Sequence, residues 1–162
     1  MIVAVDPGKR EAGVALFDDG ELAAAWLSRG DGWFETARAV YDDVFRRIPG
    51  AHLIRTVVIE RPQVYRQRQL KGDPNDLVDV ALCAGAVAAE ICSRPPPAPE
   101  IVTYLPGTWK KQVPKRIKNK RDVAKLSDEE NARVEWPRSA ENKTHVADAI
   151  GLGLFHIKRR TP

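Results

Sequence analysis

The stretch IVAVDPGKREAGVALFDDGELAAAWL, residues 2–27, decides the fold. Its apolar runs are short and are broken by Asp6-Pro7-Gly8 and by Asp19-Gly20. Residues 2–6 read as a strand that ends in an acid, with a turn behind it. Residues 13–17 read as a second strand and residues 22–27 as a third. Asp19-Gly20 between them is a hairpin signal, because a two-residue hairpin turn needs the positive φ that Asp and Gly tolerate. Three successive strands joined by short turns predict an antiparallel meander.

Outward from this core the period changes. Asp31-Gly32 opens a helical stretch in which Trp33, Ala37, Val40, Val44 and Ile48 recur every three or four residues, and Pro49-Gly50 stops it. Thr56-Val57-Val58-Ile59 is uninterrupted apolar sequence, as in a strand buried on both faces, and it ends in Glu60. Residues 63–73 read as a basic loop. Asp73 is an N-cap with Pro74 at the first helical position. That helix continues through Leu77, Val80, Ala84, Val87 and Ile91 to the stop Pro95-Pro96-Pro97. Residues 101–104 form a fifth strand, and a basic, partly helical region follows Pro106. Residues 142–158 form a last helix with Val146, Ala149, Ile150, Gly153, Leu154 and Ile157 on one face. The order β-β-β-α-β-α-β-α-α predicts an α/β layer fold with a mixed sheet flanked by helices.

The 162 residues are 43% hydrophobic and 30% charged, which fits a globular chain and not a disordered one. No apolar run approaches the length of a membrane span, so no membrane association is expected. No basic stretch precedes residues 2–5, so a signal peptide is not expected and a cytoplasmic location is. Cys83 and Cys92 are too isolated for zinc and read as reduced thiols in a helix. Charge is unevenly placed. Residues 109–125 carry eight Lys and Arg against Asp122 alone, a net +7, and residues 61–71 carry +4. The whole chain is only +4, so the remainder bears −7. An acidic body with two basic segments suits a polyanion gripped at defined places, and equally a solvated charged surface.

Three acids stand out. Asp6 and Glu60 end strands. Asp148 sits among Val146, Ala147, Ala149 and Ile150, with His145 three residues before it on the same side of a helix. An unpaired carboxylate there is costly to bury, and no Lys or Arg lies in its immediate stretch. Were the three to converge, repulsion would raise their pKa values unless a cation bound. Magnesium suits such an oxygen set, two ions can serve phosphodiester hydrolysis, and a neutral His145 can complete one shell. Taken singly, Asp6 also suits a plain turn, Glu60 an ion pair with Arg61, and Asp148 a distant arginine.

At these residues the sequence resembles the RuvC family of Holliday-junction resolvases, in the RNase H-like nuclease superfamily. Asp6-Pro7-Gly8-Lys9-Arg10-Glu11-Ala12-Gly13 resembles its opening D-P-G-x-R-x-x-G. Val57-Val58-Ile59-Glu60 resembles the strand carrying the second acid, and His145-Val146-Ala147-Asp148-Ala149 its C-terminal helix motif. The motifs span nearly the whole chain in the family's order, implying a single RuvC-like nuclease domain over residues 1–162. Its compact length resembles bacteriophage-encoded members. Histidine stands at 145 where many members carry aspartate. Arg61-Pro62-Gln63-Val64-Tyr65 is two residues longer than the family's Q-x-aromatic, and Val113-Pro114-Lys115-Arg116-Ile117-Lys118 replaces a Gly/Ala-rich loop.

The resemblance implies an RNase H-like fold with a five-stranded mixed sheet of order 3-2-1-4-5. It implies a homodimer on branched DNA, a four-way junction, nicking two strands with two magnesium ions per site and manganese as a substitute. Asp6, Glu60, His145 and Asp148 are then the metal and catalytic set, with Lys110 and Lys120 near the scissile phosphate. Tyr65 is a candidate to stack on a base; Arg66, Arg68, Lys71, Lys110, Lys111, Lys115, Lys118 and Lys120 are candidates for the DNA backbone. The small apolar residues of the 76–91 helix are a candidate dimer face. Two other readings remain: a YqgF-type RNA-processing nuclease, whose G-T-K-R-I-G-V-A residues 8–15 also resemble, though it lacks a V-I-E glutamate, and a non-catalytic nucleic-acid-binding module.

Overall fold

In a computed structural model, residues 1–63, 73–93, 97–110 and 126–160 are described. Strands β1 (Ile2–Asp6), β2 (Glu11–Asp18) and β3 (Glu21–Arg29) form the expected meander, each within a few residues of its sequence reading. Asp19 and Gly20 both adopt positive φ, 46° and 86°, as the hairpin demands. Helix α1 (Trp33–Arg47) leads through a short 3₁₀ turn to β4 (Thr56–Glu60). Helix α2 (Pro74–Cys92) starts with Asp73 accepting from the Asn75 amide, and β5 (Glu100–Tyr104) follows. Before the long α5 (Ala140–Arg160), the described residues also form the short helices α3 (Pro106–Trp109) and α4 (Asp128–Ala132).

The sheet order is β3-β2-β1-β4-β5, with β1 antiparallel to β2 and parallel to β4, and β4 parallel to β5. The strand period of two assigns each side chain to a face. Val3, Val5, Val57 and Ile59 point to α1 and α2, where Val40, Val44, Cys83 and Val87 complete one core. Ala4 and Val58 point to the other face, against Val146, Ala149, Ile150 and Phe155 of α5. Each of the larger of these side chains contributes about 1.5–3 kcal/mol by leaving water. The same parity puts Asp6 and Glu60 on the α5 face. They lie one step beyond the last paired positions Val5 and Ile59, at adjacent ends of parallel strands.

Gly13 sets the depth of α5. A Cβ there would stand 1.9 Å from the His145 carbonyl oxygen and 2.8 Å from the Val146 nitrogen. Only a bare Cα lets the helix backbone down onto β2, and β2 pairs Gly13 with Asp6. His145 is thereby brought beside the end of β1. Cys83 and Cys92 are free thiols on α2, and burial pushes Cys83 up to about 12. Among the described residues no helix is long and apolar enough to cross a membrane.

Candidate active site

A cavity of about 340 Å³ opens where β1 and β4 end, lined by Asp6, Glu60, Lys110, Glu141, His145 and Asp148 among others. Strands supply the first two. Helix α5 supplies Glu141, Thr144, His145 and Asp148, whose three- and four-residue spacings form one stripe. All four residues singled out in the sequence therefore line one pocket.

Their contacts divide them into two groups. His145 Nδ1 lies 2.7 Å from Asp6 Oδ2, across 139 residues of sequence. This hydrogen bond raises the His145 pKa, with burial opposing. Glu60 and Asp148 share Lys110, whose Nζ is 2.8 Å from Asp148 and 3.3 Å from Glu60. The buried Trp109 donates its indole N–H to Glu60 Oε2 at 2.6 Å. The cation Asp148 needs thus comes from 38 residues away, through the turn that ends α3.

The charge is not balanced. Burial first, then the nearby Asp6 and Asp148, push Glu60 up to about 7, against the opposing pull of Lys110. Burial and Asp6 also raise Asp148. Burial disfavours the Lys110 ammonium, yet Asp148, Glu60 and Asp6 outweigh it and hold its pKa above that of an ordinary lysine. The pocket has more carboxylate than one lysine satisfies, and its oxygen-rich set suits a hard divalent cation. Among the described residues, no three His, Cys, Asp or Glu side chains stand close enough to ligate one ion in this arrangement. Lys110 and Trp109 hold Glu60, and Lys110 holds Asp148.

Sequence reasoning missed Trp109, Glu141 and Thr144. A tryptophan three residues past a helix-opening proline was the available signal, since a buried indole N–H needs an acceptor. Tyr65, Arg66, Arg68, Lys71, Lys111, Lys115, Lys118 and Lys120 lie outside the described residues.

The sheet order, helix placement and site position define an RNase H-like fold. No family model matches the chain, and no curated protein matches it by sequence. Solved structures do match. RuvC of T. thermophilus in complex with a Holliday junction substrate superposes with a TM-score of 0.65, at 17% identity over 98% of this chain and 94% of that one. A second Thermus thermophilus RuvC structure gives 0.58, at 20% identity over 98% and 95%. The yeast mitochondrial Holliday junction resolvase Ydc2 gives 0.57, at 13% identity over 97% and 77%.

Proposed function

We propose that the chain is a single-domain DNA endonuclease of the RuvC type, a homodimer that resolves four-way junctions by paired metal-dependent nicks. The observation that carries this reading is the gathering of Asp6, Glu60, His145 and Asp148 around one pocket at the sheet end. It is supported by a fold shared with two junction resolvases, one of them bound to its substrate.

Asp6, Glu60, His145 and Asp148 would hold the divalent ions, once these displace Lys110 from Glu60 and Asp148 and draw the side chains closer than they now stand. Magnesium is the expected metal, with manganese as a substitute, and when bound it supplies Lewis acidity at the phosphodiester. The chain's own groups do the positioning. Asp6 fixes the His145 ring through Nδ1, and Trp109 fixes the Glu60 carboxylate. Lys110 has an ammonium within the pocket that suits a phosphate oxygen once the acids are otherwise neutralised. On α2, Val78 and Leu82 are exposed while Cys83, Val87 and Ile91 are buried, an apolar outer face in keeping with a dimer contact.

The test is incubation with a synthetic immobile junction, with and without magnesium, mapping both strands, beside a duplex and a structured RNA. Symmetric nicks that need magnesium are expected, and Asp6→Asn should lose them while still binding the junction at low salt. Magnesium-dependent cleavage by Asp6→Asn, or preference for the RNA, would overturn the reading.

A further inference from the structure

A second cleft, of about 590 Å³, lies beyond the carboxylate pocket and is lined by Arg29, Trp136, Arg138 and Ser139 among others. Its place follows from register. Asp6 pairs with Gly13, Gly13 with Leu27, and Glu11 with Arg29. Leu27 is therefore two strands from Asp6 at the same end of the sheet, about 10 Å away at the usual strand spacing, and Arg29, two residues further on, is about 12 Å away. On the other side Ser139 receives the Asn142 amide in the first turn of α5, the helix that carries Glu141, His145 and Asp148. Pocket and cleft thus flank the same helix start.

The far wall is firmly mounted. Residues 133–135 run beside β3, with Ala25 N–H donating to the Arg133 carbonyl and Glu135 N–H to the Ala25 carbonyl. The Trp136 indole is pinned by donating to Asn131 Oδ1 at 2.7 Å. Among the described lining residues the one acid, Glu135, is paired with Arg47 at 2.6 Å. Arg29 and Arg138 are exposed and make no ion pair with any other described residue. The cleft therefore presents two guanidiniums without an ion-pair partner among the described residues, beside the proposed cutting site, and guanidiniums match phosphate oxygens in pairs.

We propose that this cleft is a second DNA-backbone site, anchored by Arg29 and Arg138. It takes phosphates about three to four removed from the one being cut, since phosphates of one strand rise about 3.4 Å apiece along a duplex. The choice of DNA as ligand rests on the function proposed above; the cleft as an anion site rests on its own geometry.

The experiment is fluorescence anisotropy of the full chain with a labelled four-way junction and a labelled duplex, without magnesium, titrated with salt. Each lost phosphate contact lowers the slope of log affinity against log salt by about 0.9. Arg29→Ala with Arg138→Ala should lower it by about 2, so that the variant loses about tenfold less affinity than the parent between about 50 and 200 mM salt. Arg29→Lys with Arg138→Lys should restore most of the slope. Arg38→Ala, on α1 and paired there with Asp42, should not change it. An unchanged slope in the double alanine variant overturns the proposal, as does an equal loss in Arg38→Ala. Binding that does not favour the junction over the duplex counts against the proposed function alone, because the slope is still read on duplex.

Discussion

Glu60 offers a direct measure of the electrostatic tension in the pocket. Its pKa rises from an ordinary 4.5 to about 7, through burial first and then Asp6 and Asp148. Below about pH 4.5 the side chain is protonated in both folded and unfolded chains. As pH rises further, the unfolded chain ionises while the folded one keeps its proton, so stability falls until about pH 7. A displacement of this size is worth about 3 kcal/mol. Glu60→Gln removes the ionisation and keeps an acceptor for the Trp109 indole. Relative to its parent, the variant should therefore gain about 3 kcal/mol between pH 4.5 and 8, or roughly 6–12 °C in melting temperature for a chain of this size. Urea unfolding in EDTA at four pH values across that range reads this out. Magnesium at pH 8 should then stabilise the parent more than the variant. Parallel stability curves for the two proteins, or a parent that gains on the variant as pH rises, would show that Glu60 is not held in the described environment.

Lys110→Met removes the cation between Glu60 and Asp148. In EDTA it should melt at a lower temperature than the parent and show a larger rise on adding magnesium, because Glu60 and Asp148 then lose the ammonium that pairs with both; equal rises in scanning calorimetry would count against competition between lysine and metal. Gly13→Ala should destabilise by at least about 1–3 kcal/mol, because its methyl group meets the backbone of α5 instead of a yielding side chain, and denaturant midpoints will show it. A Gly13→Ala protein of parental stability would mean that α5 does not sit so close.

Much of this architecture was legible because it is periodic. The parity of residues 2–6 and 56–60 already puts Asp6 and Glu60 on matching faces once the two strands are parallel neighbours. Asp148 was legible as an acid on an apolar helical face. What the sequence could not supply was its counter-ion. Lys110 reaches the site because β5 ends beside β4 and a four-residue helix turns the chain back, and no local pattern encodes that distance. Helix α4 has a local signature in the sequence: Ser127-Asp128-Glu129-Glu130 forms a full capping box, with Ser127 and Glu130 each bonding the other's amide. The ribbon at residues 133–135 is held by a single bridge to Ala25, too short to leave any alternation.

The hydrogen bond between Asp6 and His145 joins residues that are far apart in synthesis as well as in sequence. The meander of β1, β2 and β3 can pair early, since its contacts are local. Four residues that line the pocket, Glu141, Thr144, His145 and Asp148, arrive only with α5. During translation, a chain whose α5 is still in the ribosome already carries Asp6 and Glu60 but not His145 and Asp148, so the pocket is incomplete. The proposed cutting activity would thus begin only once α5 has docked on β2 and brought His145 beside Asp6.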